Sequence, residues 1–238
     1  MPAAEPAVGP AVGPVATTVT KECIVQTAAS VPHKVSRPRA DALRNRERIV
    51  TAAREMFVEC GADVPFDEVA RRAGVGNATV YRNFPDREAL VREVVCSVMD
   101  RTSEAAEELL AGAGDAFEAL ERFAHTAAEQ RLGALCPMLS TAFDQHHPDL
   151  EAARVRLEAL VARMMGRAKA AGQLRDDVDL GDLLIGIAQL SRPPAGTGCV
   201  NVDRFVRRHL QLFLDGMRAP ARGSLPGAAV TVEDLRAN

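Results

Sequence analysis

The sequence predicts an all-α protein in which an N-terminal three-helix helix-turn-helix domain is joined by a long helix to a second helical domain. Ala, Leu, Glu and Arg dominate the composition, and all four favour helix. Apolar residues recur at helical spacing, and long runs with the alternating pattern of strands are missing. At 238 residues, the chain is long enough to bury two cores.

The elements follow in order from the N-terminus. Residues 1–38 are rich in Ala, Pro, Gly and Val and bury too little to offset their chain entropy, so a disordered tail is expected. Gly61 should stop the first helix, and Asp86 can cap the long one. Predicted helices cover residues 41–60, 66–73, 77–83, 86–111, 115–131, 136–144, 148–171, 180–190 and 202–217.

These helices divide the chain into four segments. We expect a tail (1–38), a helix-turn-helix domain (39–86), a helical domain (87–218) and a flexible C-terminal tail (219–238). The net charge of −3 argues against a protein that coats nucleic acid over its whole surface. It leaves room for a basic patch on one face.

Several other classes of protein are not indicated. The five cysteines are scattered without a C-x-x-C pair, which argues against a disulfide framework or zinc site and leaves redox sensing as a minor alternative. No stretch has the length of a membrane span and the N-terminus lacks a signal-peptide pattern, so a cytoplasmic protein is expected. G-x-S-x-G, a phosphate-binding glycine loop and H-E-x-x-H are all missing, so we expect no enzyme, catalytic residue, metal or cofactor.

Histidines raise two local alternatives. His146 and His147 precede Pro148 and Asp149, which could suggest a metal site. Adjacent loop histidines point in different directions, so we interpret them as surface residues and Asp149 as the charge at a helix start. His125 is either a polar group of a pocket or an ordinary helix residue.

The segment from Phe66 to Phe84 carries the helix-turn-helix pattern. Such a unit needs a small residue where its helices cross, a left-handed residue in the turn and an aliphatic anchor on the second helix. Ala70, Gly74 and Val80 meet these needs at spacings of four and six residues. The outward residues of the second helix are polar and none is acidic, as a helix that enters the major groove requires. They are Asn77, Thr79, Tyr81, Arg82 and Asn83.

A basic stretch precedes this unit. Lys34 to Arg54 holds seven basic residues against two acidic ones. Alone it would be a solvated helix face, but beside a helix-turn-helix it favours phosphate binding, with Arg44 and Arg46 as expected contacts.

Three segments together resemble the TetR family of transcriptional regulators. They are Phe57-Val-Glu-Cys-Gly61, Val69-Ala-Arg-Arg-Ala-Gly-Val75 and Thr79-Val-Tyr-Arg-Asn-Phe84, followed by Arg87 and Leu90. The resemblance implies that Thr79, Tyr81 and Arg87 hold phosphates. It also implies that Asn77, Ala78, Arg82 and Asn83 face bases or nearby backbone. Two positions depart from the family pattern: Pro65 stands where many relatives have a Ser or Thr cap, and Asp67 where some have a basic reader, so no base contact is expected from Asp67.

For the rest of the chain, the resemblance implies a ligand-binding and dimerisation domain. Its last two long helices would pair across a two-fold axis, and we expect exposed apolar stripes there that include Ile187 and Phe205. Candidate ligand-lining residues, which could equally be plain core, are Phe117, Phe123, Met138, Phe143 and Met164. The function implied is a homodimeric repressor that a small ligand releases from double-stranded operator DNA. Because the candidate lining has few charges to hold a strongly ionic molecule, we expect the ligand to be apolar or amphipathic. The alternative is a ligand-independent regulator or an architectural DNA-binding protein.

Overall fold

The computed structural model describes residues 37–60, 63–131, 147–191 and 202–236. Within these ranges the backbone forms nine α-helices and no strand, which confirms the predicted fold class. The helices are α1 (Arg37–Cys60), α2 (Phe66–Ala73), α3 (Asn77–Asn83), α4 (Arg87–Ala111), α5 (Ala116–Glu129), α6 (Pro148–Ala170), α7 (Leu180–Leu190), α8 (Val202–Met217) and α9 (Val232–Arg236).

Most helices lie where the sequence predicts them. The bounds of α2, α3, α7 and α8 agree with prediction, whereas α1 begins four residues earlier than the expected Asp41. The helix predicted over residues 136–144, like the tail over 1–36, lies outside the described residues.

Helix α4 connects the two ends of the fold. It packs against α1 on one side of the molecule and against α5 and α6 in the second half of the chain. Its buried residues extend from Leu90 to Ala106 and belong to one continuous core with those of α1 and α2. The division between residues 86 and 87 therefore stays a prediction, since no gap in packing marks it.

Acidic side chains cap several helices. Asp86 accepts a hydrogen bond from the Ala89 backbone N–H at 2.7 Å, which confirms it as the cap of α4. Asp115 caps α5 by accepting from the Glu118 N–H at 2.8 Å. That hydrogen bond is the main reason why the pKa of Asp115 lies below its ordinary value. Each cap satisfies a backbone donor that the helix itself leaves unpaired.

The segment after Pro220 makes contacts with the rest of the second half of the chain, and the flexible tail over residues 219–238 stays a prediction. Among these contacts, the buried guanidinium of Arg175 donates to the Gly223 carbonyl at 2.7 Å and also to the Gly216 carbonyl at 3.1 Å. The same group binds Asp177 through two hydrogen bonds and lowers the pKa of that carboxyl to about 2. Further along, the Val230 N–H donates to Asp182 at 3.2 Å, and α9 packs against α7.

Across the described ranges, no helix is both long and apolar enough to span a membrane.

Candidate nucleic-acid interface

The turn between α2 and α3 has the geometry that the sequence predicts. Gly74 adopts the left-handed conformation, with φ 63° and ψ 38°, directly after the last residue of α2. The Val75 N–H donates to the Ala70 carbonyl at 3.0 Å, and the Gly74 carbonyl accepts from Arg48 of α1 at 2.9 Å. These bonds fix the direction in which α3 leaves the turn.

Packing holds α3 from its inner side. Val80 is fully buried, and Ala70 and Phe84 are almost so. All three belong to the core that also includes Ile49 and Phe57 of α1. Val80 is the one fully buried residue among the seven of α3, so the opposite side of this helix faces away from the core.

The outer side of α3 is polar. Asn77, Ala78, Tyr81 and Arg82 are exposed, while Thr79 and Asn83 are half-buried. The Asn83 side-chain amide donates to the Thr79 carbonyl at 2.8 Å, so one of its donors is used within the helix.

Tyr81 is held in place by its ring. The ring centroid lies 5.1 Å from that of Phe66, with the planes tilted by 53°. The side chain is still 54% exposed, and its hydroxyl has no hydrogen-bond partner among the described residues. The hydroxyl is therefore presented to solvent on a ring that is fixed by packing.

The predicted DNA contact Arg46 has partners within the protein. Its guanidinium binds the Glu93 carboxylate through hydrogen bonds of 2.8 and 3.1 Å and donates to the Asn83 carbonyl at 3.2 Å. It also lies 4.5 Å from the centre of the Phe84 ring. Arg46 thus joins α1, the end of α3 and α4, and a phosphate contact from it stays a prediction. Sequence reasoning missed Glu93, since the pair is 47 residues apart along the chain.

The other arginines near the helix-turn-helix differ in whether a carboxylate pairs with them. Arg44 pairs with Asp41 on an exposed surface, and the guanidinium of Arg87 lies 4.0 Å from Asp63. Arg82 and Arg71, by contrast, are exposed and have no partner in the part of the chain that the structure describes. Arg71 lies in the last turn of α2, three residues before Gly74, and is not among the DNA contacts predicted from the sequence.

Arg72 shows that not every cation of α2 is available. It binds Glu59 at 3.0 Å and Glu55 at 3.4 Å, both on α1. These carboxylates, Glu59 foremost, raise the pKa of Arg72 above its ordinary value. The pairs hold the guanidinium against α1.

The candidate ligand-lining residues divide into two groups. Phe117, Phe123 and Met164 are at most 2% exposed and lie in the core. Met138 and Phe143 lie outside the described residues. The guanidinium of Arg218 lies over the Phe117 ring, 4.2 Å from its centre. Residues that line a closed cavity and residues of a plain core are both buried, so these two alternatives stay open.

One buried hydroxyl of α4 has no partner among the residues that the structure describes. The Ser103 hydroxyl on α4 is fully buried and makes no hydrogen bond within the described residues. The neighbouring Thr102 hydroxyl, also buried, donates to the Val98 carbonyl at 2.7 Å. Buried hydroxyls nearly always have a partner, so Ser103 stands out among the buried hydroxyls of the described core.

His125 lines an open groove between α5 and α8. The groove has a volume of about 820 Å³. His125 Nε2 lies 3.0 Å from Gln211 Oε1, and charged side chains line the rim. An open groove of this kind does not distinguish a polar group of a ligand pocket from an ordinary helix residue, so both expectations for His125 stay open.

The exposed apolar faces of α7 and α8 differ in part from expectation. Ile187 is buried within the protomer, so its expected exposure is wrong. Ile185 is exposed instead, together with Phe205 and Leu212 of α8. The reason is that α7 is apolar on nearly every side, so helical spacing alone does not show which side meets α8.

The structure also bears on the expected roles of His147, Asp149 and Cys96. His147 Nδ1 accepts from the Asp149 N–H at 3.3 Å at the start of α6, and Asp149 lies in the first helical turn as expected, whereas His146 lies outside the described residues. On α4, burial raises the pKa of the Cys96 thiol to about 11. A thiol with a raised pKa is a poor nucleophile, which disfavours Cys96 as a redox sensor.

Known proteins match both halves of the chain. The model of bacterial regulatory proteins of the TetR family matches residues 49–94, and that of the SbtR-like transcriptional regulator C-terminal domain matches residues 114–219. A solved TetR transcription regulatory protein from Mycobacterium vanbaalenii is 31% identical, with a TM-score of 0.57, over 76% of this chain and 99% of that one. A TetR transcriptional regulator from Streptomyces coelicolor is 28% identical, with a TM-score of 0.56, over 74% of this chain and 99% of that one.

A shorter match covers the helix-turn-helix end. The helix-turn-helix-type transcriptional regulator TtgW of Pseudomonas putida is 39% identical over 59 residues, which are 24% of this chain and 44% of that protein. The chain spans less than half the length of the curated relatives that it matches.

A fixed helix-turn-helix with an outward polar helix, followed by a helical domain, defines a DNA-binding transcriptional regulator. The chain belongs to the TetR family of bacterial regulatory proteins. Membership confirms the expectation of a regulator and not an enzyme.

The turn geometry predicts opposite effects for two glycine substitutions. Gly74→Ala should lower the free energy of unfolding by about 1–2 kcal/mol, because an L side chain is strained in the left-handed region. The added Cβ would also lie 2.7 Å from Arg48 Nη2. Gly166 lies inside α6, and nothing lies within 4 Å of a Cβ added there. Gly166→Ala should therefore raise the free energy of unfolding by roughly 0.5–1 kcal/mol, because Ala loses less conformational freedom than Gly when a helix forms. Urea unfolding of both variants checks this, and equal effects of the same sign would contradict it.

Proposed function

We propose that the chain is a ligand-responsive DNA-binding repressor, released from its operator by a small apolar or amphipathic molecule. The observation that carries DNA binding is the outer side of α3. It presents Asn77, Tyr81 and Arg82 to solvent from a helix that Val80 and the Gly74 turn hold fixed. Polar side chains on a fixed helix suit hydrogen bonding to base edges in the major groove and to the phosphates that flank it.

The charges around α3 support two kinds of contact. Arg82 lies on α3 itself and has no partner within the described ranges, so its guanidinium can reach a base or a phosphate. Arg87 is the first residue of α4, just beyond the end of α3, where it would meet the DNA backbone. Phosphate contacts fix the position of a protein on DNA, and base contacts select the sequence.

This division predicts different phenotypes for two arginines. Arg87→Ala should weaken binding to every duplex and reduce the slope of log affinity against log salt by about one unit. Arg82→Ala should instead change which operator sequence is preferred. Arg156→Ala, which removes a cation on α6 that pairs with Glu107 at 3.0 Å, serves as the control and should bind like the wild type. Titration of a selected operator and a scrambled duplex at several salt concentrations distinguishes these outcomes, and wild-type binding by both test variants would count against the assigned surface.

The exposed apolar residues of α7 and α8 support a homodimer. Phe205 and Leu212 are 57% and 58% exposed, and Ile185 adds to them from α7. Apolar side chains of this size on two adjacent helices favour contact with a second copy. A two-fold dimer would place two α3 helices on one side of the duplex and predicts near-palindromic operators.

A matched pair of charge substitutions tests the dimer. Phe205→Glu should give monomers, because it buries a carboxylate in the proposed interface. Val155→Glu places the same charge at a 48% exposed apolar residue on α6 and should leave the dimer intact. Sedimentation velocity at micromolar concentration measures the result. A monomeric wild type, or equal behaviour of the two variants, would refute the assigned interface.

Helix α4 is the proposed connection between effector and operator. It shares the core of the second domain through α5 and α6, and at its other end Glu93 binds Arg46 beside α3. A displacement of α4 would therefore change the position of α3. A ligand can favour that displacement only by binding one arrangement better than the other.

Ser103 supplies a polar point on α4 for such a ligand. Its buried hydroxyl lacks a partner among the described residues, on a helix that packs against those bearing Phe117, Phe123 and Met164. An amphipathic molecule that entered this core could offer the hydroxyl a hydrogen bond while its apolar part met the aromatic side chains.

Substitution of the two neighbouring hydroxyls tests this effector site. A library of apolar and amphipathic compounds is first screened by thermal shift for a compound that stabilises the wild type. Ser103→Ala should weaken binding of that compound, since the hydroxyl can no longer pair with it. Thr102→Val removes a hydroxyl whose hydrogen bond is already made within α4 and should leave the affinity unchanged. Calorimetry gives both affinities; if no compound binds or alters operator affinity, the protein is a ligand-independent regulator.

A further inference from the structure

The first turn of α2 contacts two outward side chains of α3. Phe66 packs against the Tyr81 ring, and the Asp67 carboxylate accepts a hydrogen bond from the Asn77 side-chain amide. Asp67 and Asn77 are both exposed, on the side of the unit that carries the proposed DNA contacts. No base contact is predicted for Asp67, but its hydrogen bond to Asn77 allows it to act on base recognition through that neighbour.

The chemistry of this pair fixes an orientation. A side-chain amide has a donor end and an acceptor end, and without a partner it can present either. A carboxylate only accepts, so Asp67 holds the Asn77 nitrogen toward α2. The Asn77 oxygen Oδ1 is then directed away from Asp67, as an acceptor at the start of α3. The negative charge of Asp67 also disfavours the approach of a hydrogen-bond acceptor from the DNA.

Bases differ in what they present to such an acceptor. In the major groove, adenine and cytosine carry an exocyclic amino group that donates, whereas guanine and thymine carry a carbonyl oxygen at the equivalent edge. Residues at the start of a recognition helix are those that reach base edges. An amide held with its oxygen outward therefore discriminates between these two kinds of base.

We infer that Asp67 is a specificity-determining positioning residue: it orients Asn77 to accept from the amino group of adenine or cytosine at one position of each operator half-site. The inference rests on the proposed DNA-binding function. It assigns Asp67 no contact with DNA of its own, only the orientation of its neighbour. Loss of Asp67 frees the amide to turn, and the base preference at that position is lost while the rest of the operator is still recognised.

The experiment compares Asp67→Ala with Glu68→Ala. Both remove one carboxylate from the first turn of α2, so both reduce repulsion of the DNA backbone and should raise general affinity similarly. The Glu68 carboxylate has no hydrogen-bond or ion-pair partner in the described part of the chain, which makes Glu68 a matched control. The full-length protein is used to select from a randomised duplex library, and the enriched operators are sequenced.

The wild type and Glu68→Ala should show a preference of about fivefold or more for adenine or cytosine at one half-site position. Asp67→Ala should lose that preference and keep the others. Asn77→Ala should lose it at the same position, and the double variant should show no further change, because both act through one amide. Asp67→Asn, which keeps the size of the side chain and allows either amide orientation, should relax the preference in the same direction.

The outcomes separate the two claims. If the wild type selects no duplex, the proposed function fails and this inference falls with it. If the wild type selects an operator and Asp67→Ala keeps every base preference, or loses a different position from Asn77→Ala, the inference alone is overturned. Circular dichroism of each variant shows that the helices are intact.

Discussion

The burial of α4 in a core that also includes α1 and α2 is the constraint on which the rest of the structure depends. The helices α2 and α3 have eight and seven residues, too few to hold a fixed arrangement by themselves. Leu90 and Val94 of α4 are fully buried, and each apolar side chain removed from water in this way contributes about 1.5–3 kcal/mol. The position of α3 is thus tied to that of a 25-residue helix.

Ion pairs within the protein engage some arginines of α1 to α4 and leave others exposed on the surface. The chain has a net charge of −3, yet the stretch from Lys34 to Arg54 holds seven basic residues against two acidic ones. Carboxylates of α1 and α4 hold Arg72 and Arg46 in place, whereas Arg71 and Arg82 have no partner within the described ranges. Exposed pairs of this kind contribute little to stability, about 0–1 kcal/mol each. Their larger effect is to direct guanidinium groups, some toward the core of the unit and others outward.

Local rules explain why so much of the fold follows from the sequence. Gly74 and Asp86 mark a turn and a cap because left-handed backbone and unpaired helix N–H groups each favour particular residue types. Partners that are distant in the chain leave no such pattern. Nothing in the sequence pairs Arg46 with Glu93, or Arg175 with the carbonyl groups of residues 216 and 223. The error at Ile187 has another cause, since an 11-residue helix with few polar side chains has no periodicity that distinguishes its two sides.

The same contrast applies within the candidate interface. The polar character of α3 is readable from its residue types, and the family resemblance agrees with it. What each side chain can offer to DNA depends on its neighbours, which the sequence does not show. The Asn83 amide is engaged by the Thr79 carbonyl, whereas the Asn77 amide is held by Asp67 from another helix. Both asparagines of this short helix donate from the amide nitrogen, but Asn83 does so within α3, whereas the orientation of the Asn77 amide depends on a residue of α2.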